Sequence, residues 1–174
     1  MPTNKTAALP IAYVVLRILI ILNWLYAACL IALLSYSFIN EAFFMRALHL
    51  GSPAENPALV IGVRAIAALG ILTVPLNLAM LRRLVEMVHT VRAGDPFVAA
   101  NAYRINTIAW ILLGLQLISL VIWAIGKAVS TPAHPLHLNA GFSPAGWLAV
   151  ILTFVLARVF VEGTLMREDL EGTI

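Results

Sequence analysis

The sequence predicts an all-α fold, an integral membrane four-helix bundle with short cytoplasmic helical extensions. Three observations carry this prediction. Of the 174 residues, 62% are hydrophobic and 11% are charged, against about 25% charged in a soluble domain. Four apolar stretches, at about 11–39, 58–81, 105–126 and 144–166, approach or exceed the roughly 20 residues that a spanning helix needs. Arginines concentrate in the second of the three connections between them. A chain so poor in polar groups cannot cover itself in water, and a mean hydropathy of +0.97 points to lipid as its solvent. The length accommodates one domain over 1–174.

The first stretch carries no charge from Ile18 to Asn40. A cleaved signal peptide has an apolar core of only roughly 7–15 residues, so this stretch reads as a retained helix. The lone cysteine, Cys29, lies within it and reads as a small packing residue. Arg17 and Arg64 each sit about six residues inside a span, roughly 9 Å deep, from where a long side chain snorkels to the headgroups. Pro75, in the second span, removes a backbone donor, frees the Ile71 carbonyl and predicts a kink, with Asn77 nearby. The third span is uncharged from Ile105 to Gly126, and the fourth is uncharged as far as Ala157.

Arg158 and Glu162 then follow at i,i+4 spacing, which places both on one helix face. A structural ion pair is the expectation, with a functional intramembrane charge as the alternative. Asn23 and Gln116 each lie roughly 17 Å from the inner ends of their helices, near the midplane. A hydrogen bond between them would fasten the first helix to the third; lining of a polar cavity is the other reading.

The first connection, Asn40 to Pro57, contains Gly51-Ser52-Pro53 and Asn56-Pro57 and reads as a loop. The third, Lys127 to Ser143, is broken by Pro132, Pro135 and Gly141. The second differs. Arg82 to Val91 has no breaker and continues the helix beyond the span, until Gly94 ends it. Asp95 is the predicted N-cap of the next helix, and Pro96 its first residue. Orientation follows from basic residues in short connections. Arg82, Arg83, Arg92 and Arg104 surround the second connection, against Arg46 in the first and Lys127 in the third. The second connection, and with it both termini, is therefore predicted to be cytoplasmic.

No phosphate-cradling glycine loop, HExxH or CxxC motif appears, so no catalytic, cofactor-binding or metal residue is assigned. His134 and His137 have ligand-like spacing but read as exposed loop histidines, with Pro135 between them and no thiol or carboxylate close by. The tail, Arg167-Glu168-Asp169-Leu170-Glu171, clusters acidic residues at a helix C-terminus, where the macrodipole disfavours them. A positive partner is expected: the arginines of the second connection, or a basic cytoplasmic protein.

The tail from Phe160 to Ile174 follows the pattern F-x-E-G-x-x-M-R-x-D-x-E-x-T-I. It resembles the closing motif of a bacterial membrane family catalogued as domain of unknown function 2975. Gly94-Asp95-Pro96-Phe97, followed by Asn101, Arg104, Ile105 and Ala109-Trp110, is similar to that family's central motif. The resemblance covers most of the chain; Arg158 departs from it, standing where a less costly residue is expected. It implies four membrane helices and no assigned enzymatic activity. Members of that family are often encoded beside a small helix-turn-helix regulator of the Cro/repressor type, which implies a membrane protein that holds or silences such a regulator.

The first functional expectation is therefore an interaction protein of the bacterial inner membrane. Its candidate docking residues are Asp95, Phe97, Arg104, Arg167, Glu168, Asp169 and Glu171. Its partners are the lipid bilayer and a small helix-turn-helix regulator, with no direct nucleic-acid binding of its own. The second is a small transporter or channel subunit with a polar path along Asn23, Asn77, Gln116, Arg158 and Glu162. A membrane enzyme ranks third, for want of a nucleophile–base or metal constellation. The charge distribution predicts that a reporter fused near Gly94 is reachable only from inside the cell; access from outside would overturn the orientation.

Overall fold

A computed structural model describes residues 8–47, 57–132, 135–136 and 138–171, with only the backbone described at 8, 168, 170 and 171. Five helices account for most of them: α1 Ala8–Ile39, α2 Glu41–Ala47, α3 Pro57–Arg92, α4 Ala99–Val129 and α5 Pro144–Glu171. There is no strand among the described residues. Four of the helices, α1, α3, α4 and α5, are long and apolar enough to cross a membrane. The protein is thus a multi-pass membrane protein. Helix α3 has 36 residues, roughly 54 Å of rise, and so exceeds a hydrocarbon core of about 30 Å.

The distribution of side chains is the reverse of that in a soluble bundle. Large apolar residues face outward, among them Ile21 at 60% exposure, Ile61 at 67%, Trp110 at 60% and Ile151 at 57%. Many buried positions are small: Ala27, Ala67, Ala102, Ala109 and Ala157. Between membrane helices, close backbone approach rather than the hydrophobic effect drives packing, so small residues belong inside.

The chain forms two compact units. The first comprises Met1–Asn23, Leu76–Gly114 and Pro144–Ile174. It therefore holds the start of α1, the end of α3, the start of α4 and the whole of α5. The second comprises Trp24–Pro75 and Leu115–Ser143, with α2 and the remaining segments of α1, α3 and α4.

In the second unit the first connection is not a plain loop, as expected from its breakers, but carries α2. Asn40 Oδ1 accepts the Phe43 N–H at 3.1 Å, and Glu41 occupies the first turn, a cap and a charge that both suit a helix N-terminus. Phe44 and Met45 then bury against Leu59 and Val60, with Leu33, Val63, Val129 and Leu136 around them. Arg64 does not simply snorkel. Its Nε donates to Ser37 Oγ at 3.1 Å, and its Nη2 donates to the Ser37 carbonyl at 2.6 Å and to Glu41 Oε2 at 2.8 Å. The guanidinium also lies 4.4 Å from the centre of the Phe38 ring. This arginine joins the end of α1 to α2 and α3. Helix α3 runs through Pro75 and continues to Arg92.

The extension of α3 beyond its span is as the sequence predicts, and so is its end. Gly94 has φ +90°, its N–H donates to the Val91 carbonyl at 3.2 Å, and the Asp95 N–H donates to the Thr90 carbonyl at 3.1 Å. These two bonds form a Schellman motif around a left-handed residue that favours glycine. The start of α4 differs from expectation. The helix begins at Ala99, and the Val98 carbonyl, rather than Asp95, opens it by accepting the N–H groups of Asn101 and Ala102. Asp95, Pro96 and Phe97 are held outside the helix by tertiary partners of their own.

Gly62 lies where an added Cβ would stand 2.7 Å from the Val129 methyls, whereas Gly114 has nothing within 4 Å. Gly62→Ala should therefore cost about 1–3 kcal/mol through overpacking, while Gly114→Ala should gain about 0.5–1 kcal/mol as a better helix former. Unfolding of the purified protein in detergent would measure both, and equal effects would contradict the close approach at Gly62.

Candidate functional site

The most organised polar cluster of the first unit lies around the Gly94 turn. Asn101 is fully buried, at 0% exposure. An amide there must find partners or incur the cost of an unmet hydrogen bond. It finds them: Nδ2 donates to Thr90 Oγ1 at 2.7 Å and to the Pro96 carbonyl at 2.9 Å, and Oδ1 accepts Arg104 Nη1 at 2.8 Å. Arg104 Nε continues to Glu86 Oε2 at 2.9 Å, and the Thr90 hydroxyl donates to the Met87 carbonyl at 2.8 Å. One side chain thus fixes the end of α3, the turn and the first coil of α4 relative to one another.

The tail of α5 meets the same turn. Arg167 Nη1 pairs with Asp95 Oδ1 at 2.9 Å. The Phe97 ring packs on Phe160 with centroids 5.2 Å apart. Gly163 leaves the room for this, since a Cβ at that position would stand 3.1 Å from the Phe97 ring. Thr164 is buried one turn from Phe160 and donates to its carbonyl at 2.8 Å. These contacts explain the misplaced helix start: Asp95 is engaged by Arg167, and the Pro96 carbonyl by Asn101, so neither serves as a local cap.

Of the predicted docking residues, Asp95, Phe97, Arg104 and Arg167 come together here. Asp169 is exposed on α5, and the side chains of Glu168 and Glu171 lie outside those described. The turn–tail link described is a tail arginine meeting a turn aspartate; the positive partner expected for Glu168 and Glu171 falls outside the described side chains. Arg104 takes its carboxylate from Glu86, and Arg83 stacks over Tyr103 at 5.6 Å from the ring centre. Arg82 and Arg92 remain exposed. Glu86 and Thr90 were not singled out by sequence, and Phe160 stood there only as the opening residue of the tail motif. Their roles follow from tertiary placement, and the one signal was a lone asparagine, Asn101, one turn into a helix that is otherwise apolar inward.

Arg158 and Glu162 form the predicted pair, Nη2 to Oε1 at 2.6 Å, with side chains 75% and 46% exposed. Both point outward rather than into an enclosed path. Asn23 is buried in the first unit, Asn77 is half-buried there, and Gln116 is half-buried in the second. His134 and His137 lie outside the described residues. Among the described residues no three His, Cys, Asp or Glu side chains cluster as metal ligands would.

No protein-family model, curated protein or solved structure matches this chain.

The network ranks its members. Asn101→Leu leaves Thr90 and Arg104 without their buried partner and should cost about 1–3 kcal/mol. Arg167→Ala breaks an exposed pair and should cost about 0–1 kcal/mol. Unfolding free energies of the two variants in the same detergent test this order; a reversed ranking would remove Asn101 from the centre of the site.

Proposed function

We propose that the protein is a regulatory anchor of the bacterial inner membrane, with both termini and the Gly94 turn in the cytoplasm. In this reading the surface built by turn and tail holds or silences a small helix-turn-helix regulator. The observation that carries it is the contact of Arg167 with Asp95 and of Phe97 with Phe160. It makes one surface of two stretches far apart in sequence, the two stretches that carry the family resemblance. The arginines around the turn support the cytoplasmic placement, by the bias of short cytoplasmic connections toward basic residues.

The surface has the composition of a docking site. Phe97 is 44% exposed beside Phe160, which supplies an apolar anchor, and the Glu86 and Asp95 side chains are 52% and 53% exposed. A DNA-binding regulator presents a basic face that binds phosphates largely by charge, and carboxylates around an aromatic anchor compete for the same face. The reading assigns no catalytic step.

Where a small helix-turn-helix regulator is encoded beside this protein, its co-purification tests the proposal. The intact chain should retain it, and a chain truncated after Gly163 should lose most of it, about tenfold, as loss of a central contact group does. Phe97→Ala should weaken recovery in the same direction. Equal recovery by the intact and truncated chains would reject docking on this surface.

A further inference from the structure

A groove of about 650 Å³ opens between α4 and α5 in the first unit. That volume lies within the roughly 300–1,000 Å³ of small-molecule sites. Its floor is made of Ala102 and Ala157, both 5% exposed. Phe154 closes one end, with its ring edge-on to Trp110 at 5.3 Å. Beside the buried Thr164, three exposed polar side chains line it: Tyr103, Asn106 and Arg158. The turn–tail contacts use none of them.

The three share an unusual condition. Arg158 lies 14 residues from the start of α5, roughly 21 Å along a helix that crosses the hydrocarbon. A cation at such a depth is costly unless paired or solvated. Of its five N–H donors, one terminal nitrogen meets Glu162, and Glu162 is the one acceptor it meets among the described residues. Nor do the Tyr103 hydroxyl and the Asn106 amide meet a protein partner among those residues. Glu162 does not line this groove; it lines a neighbouring one together with Arg158, Phe97 and Met166. Within the groove between α4 and α5, the one charged side chain is therefore positive.

We infer that this groove binds one anionic phospholipid, its phosphate on Arg158, Asn106 and Tyr103 and an acyl chain running from there along Ala157 and Phe154. The occupant follows from position and charge. The groove opens on a surface that faces lipid, so the surrounding solvent itself supplies the ligand. An apolar trough with a cation and two neutral donors at its rim matches a chain with a phosphate at its end. The Arg158 side chain runs one turn toward the C-terminal end of α5 to reach Glu162, which carries the guanidinium toward the headgroup layer rather than the midplane. Glu162 then acts as a competitor: it holds one nitrogen of Arg158 and reduces the attraction for phosphate.

Native mass spectrometry of the full-length protein in detergent tests this, with equimolar phosphatidylglycerol and phosphatidylcholine added. The expected result is a single retained lipid, with phosphatidylglycerol favoured at least fivefold. Arg158→Gln should abolish the preference, Arg92→Gln should leave it unchanged, and Glu162→Gln, which frees the guanidinium, should raise it two- to threefold. The last variant keeps the test decisive if Arg158→Gln fails to fold. Inorganic phosphate at millimolar concentration should not displace the lipid, because the acyl chain contributes. Displacement by phosphate would assign the site to a free anion and overturn the lipid. Equal retention of the two lipids, an unchanged preference in Glu162→Gln, or a dimer that forms in place of the lipid adduct would each overturn it as well.

Discussion

The fold depends on one constraint: in hydrocarbon, no polar group can turn to solvent for a partner. Backbone groups meet it by forming long helices. Side chains meet it at a few nodes, and those nodes hold the architecture together. Within the spans Arg64 finds Ser37 and Glu41 and Arg158 finds Glu162; beyond them, at the turn, the buried Asn101 finds Thr90, Pro96 and Arg104. Apolar packing supplies less direction, since a leucine is as well solvated by lipid as by another leucine. Polar pairing therefore specifies where helices end and which segments meet, while alanines at the contacts set how closely they approach.

The two best-formed nodes differ in construction. In the second unit, a partly buried arginine draws α2 against the end of α1 and the start of α3, beside a small apolar core of Phe44, Met45, Leu59 and Val60. In the first unit the centre is a neutral amide, Asn101, with charges at the periphery. A neutral centre avoids the desolvation cost of a buried ion and leaves the charged groups Glu86, Asp95 and Arg167 at the surface, where a partner can reach them.

The long helices were legible because length and apolar composition alone define a span. Gly94 was legible because a glycine beyond a breaker-free run marks a helix end. The i,i+4 pair of Arg158 and Glu162 was legible from spacing. The start of α4 was not. Asp95-Pro96 is a strong local signal, but it competes with Arg167, 72 residues away, and with a ring contact that holds Phe97 in the turn. Helix α2 was missed because the nearby Gly51 and Pro53 outweighed Asn40 and Glu41, and because burial of Phe44 and Met45 depends on α3. The role of Arg64 could not be read without α2. Asn101 stood in the central motif, yet only its placement beneath the turn reveals it as the pivot.

Gly163 and Arg167 are separated by one helical turn, so a flat spot and a cation face the same neighbour. The spacing acts as a ruler. One residue inserted between them would swing the guanidinium by about 100° around the axis and carry it away from Asp95, although every side chain would still be present. Lengthening the chain beyond Arg167 would leave this registration untouched. Divergent versions of the protein are thus free to vary on the C-terminal side of the arginine, but not in the distance between it and the glycine.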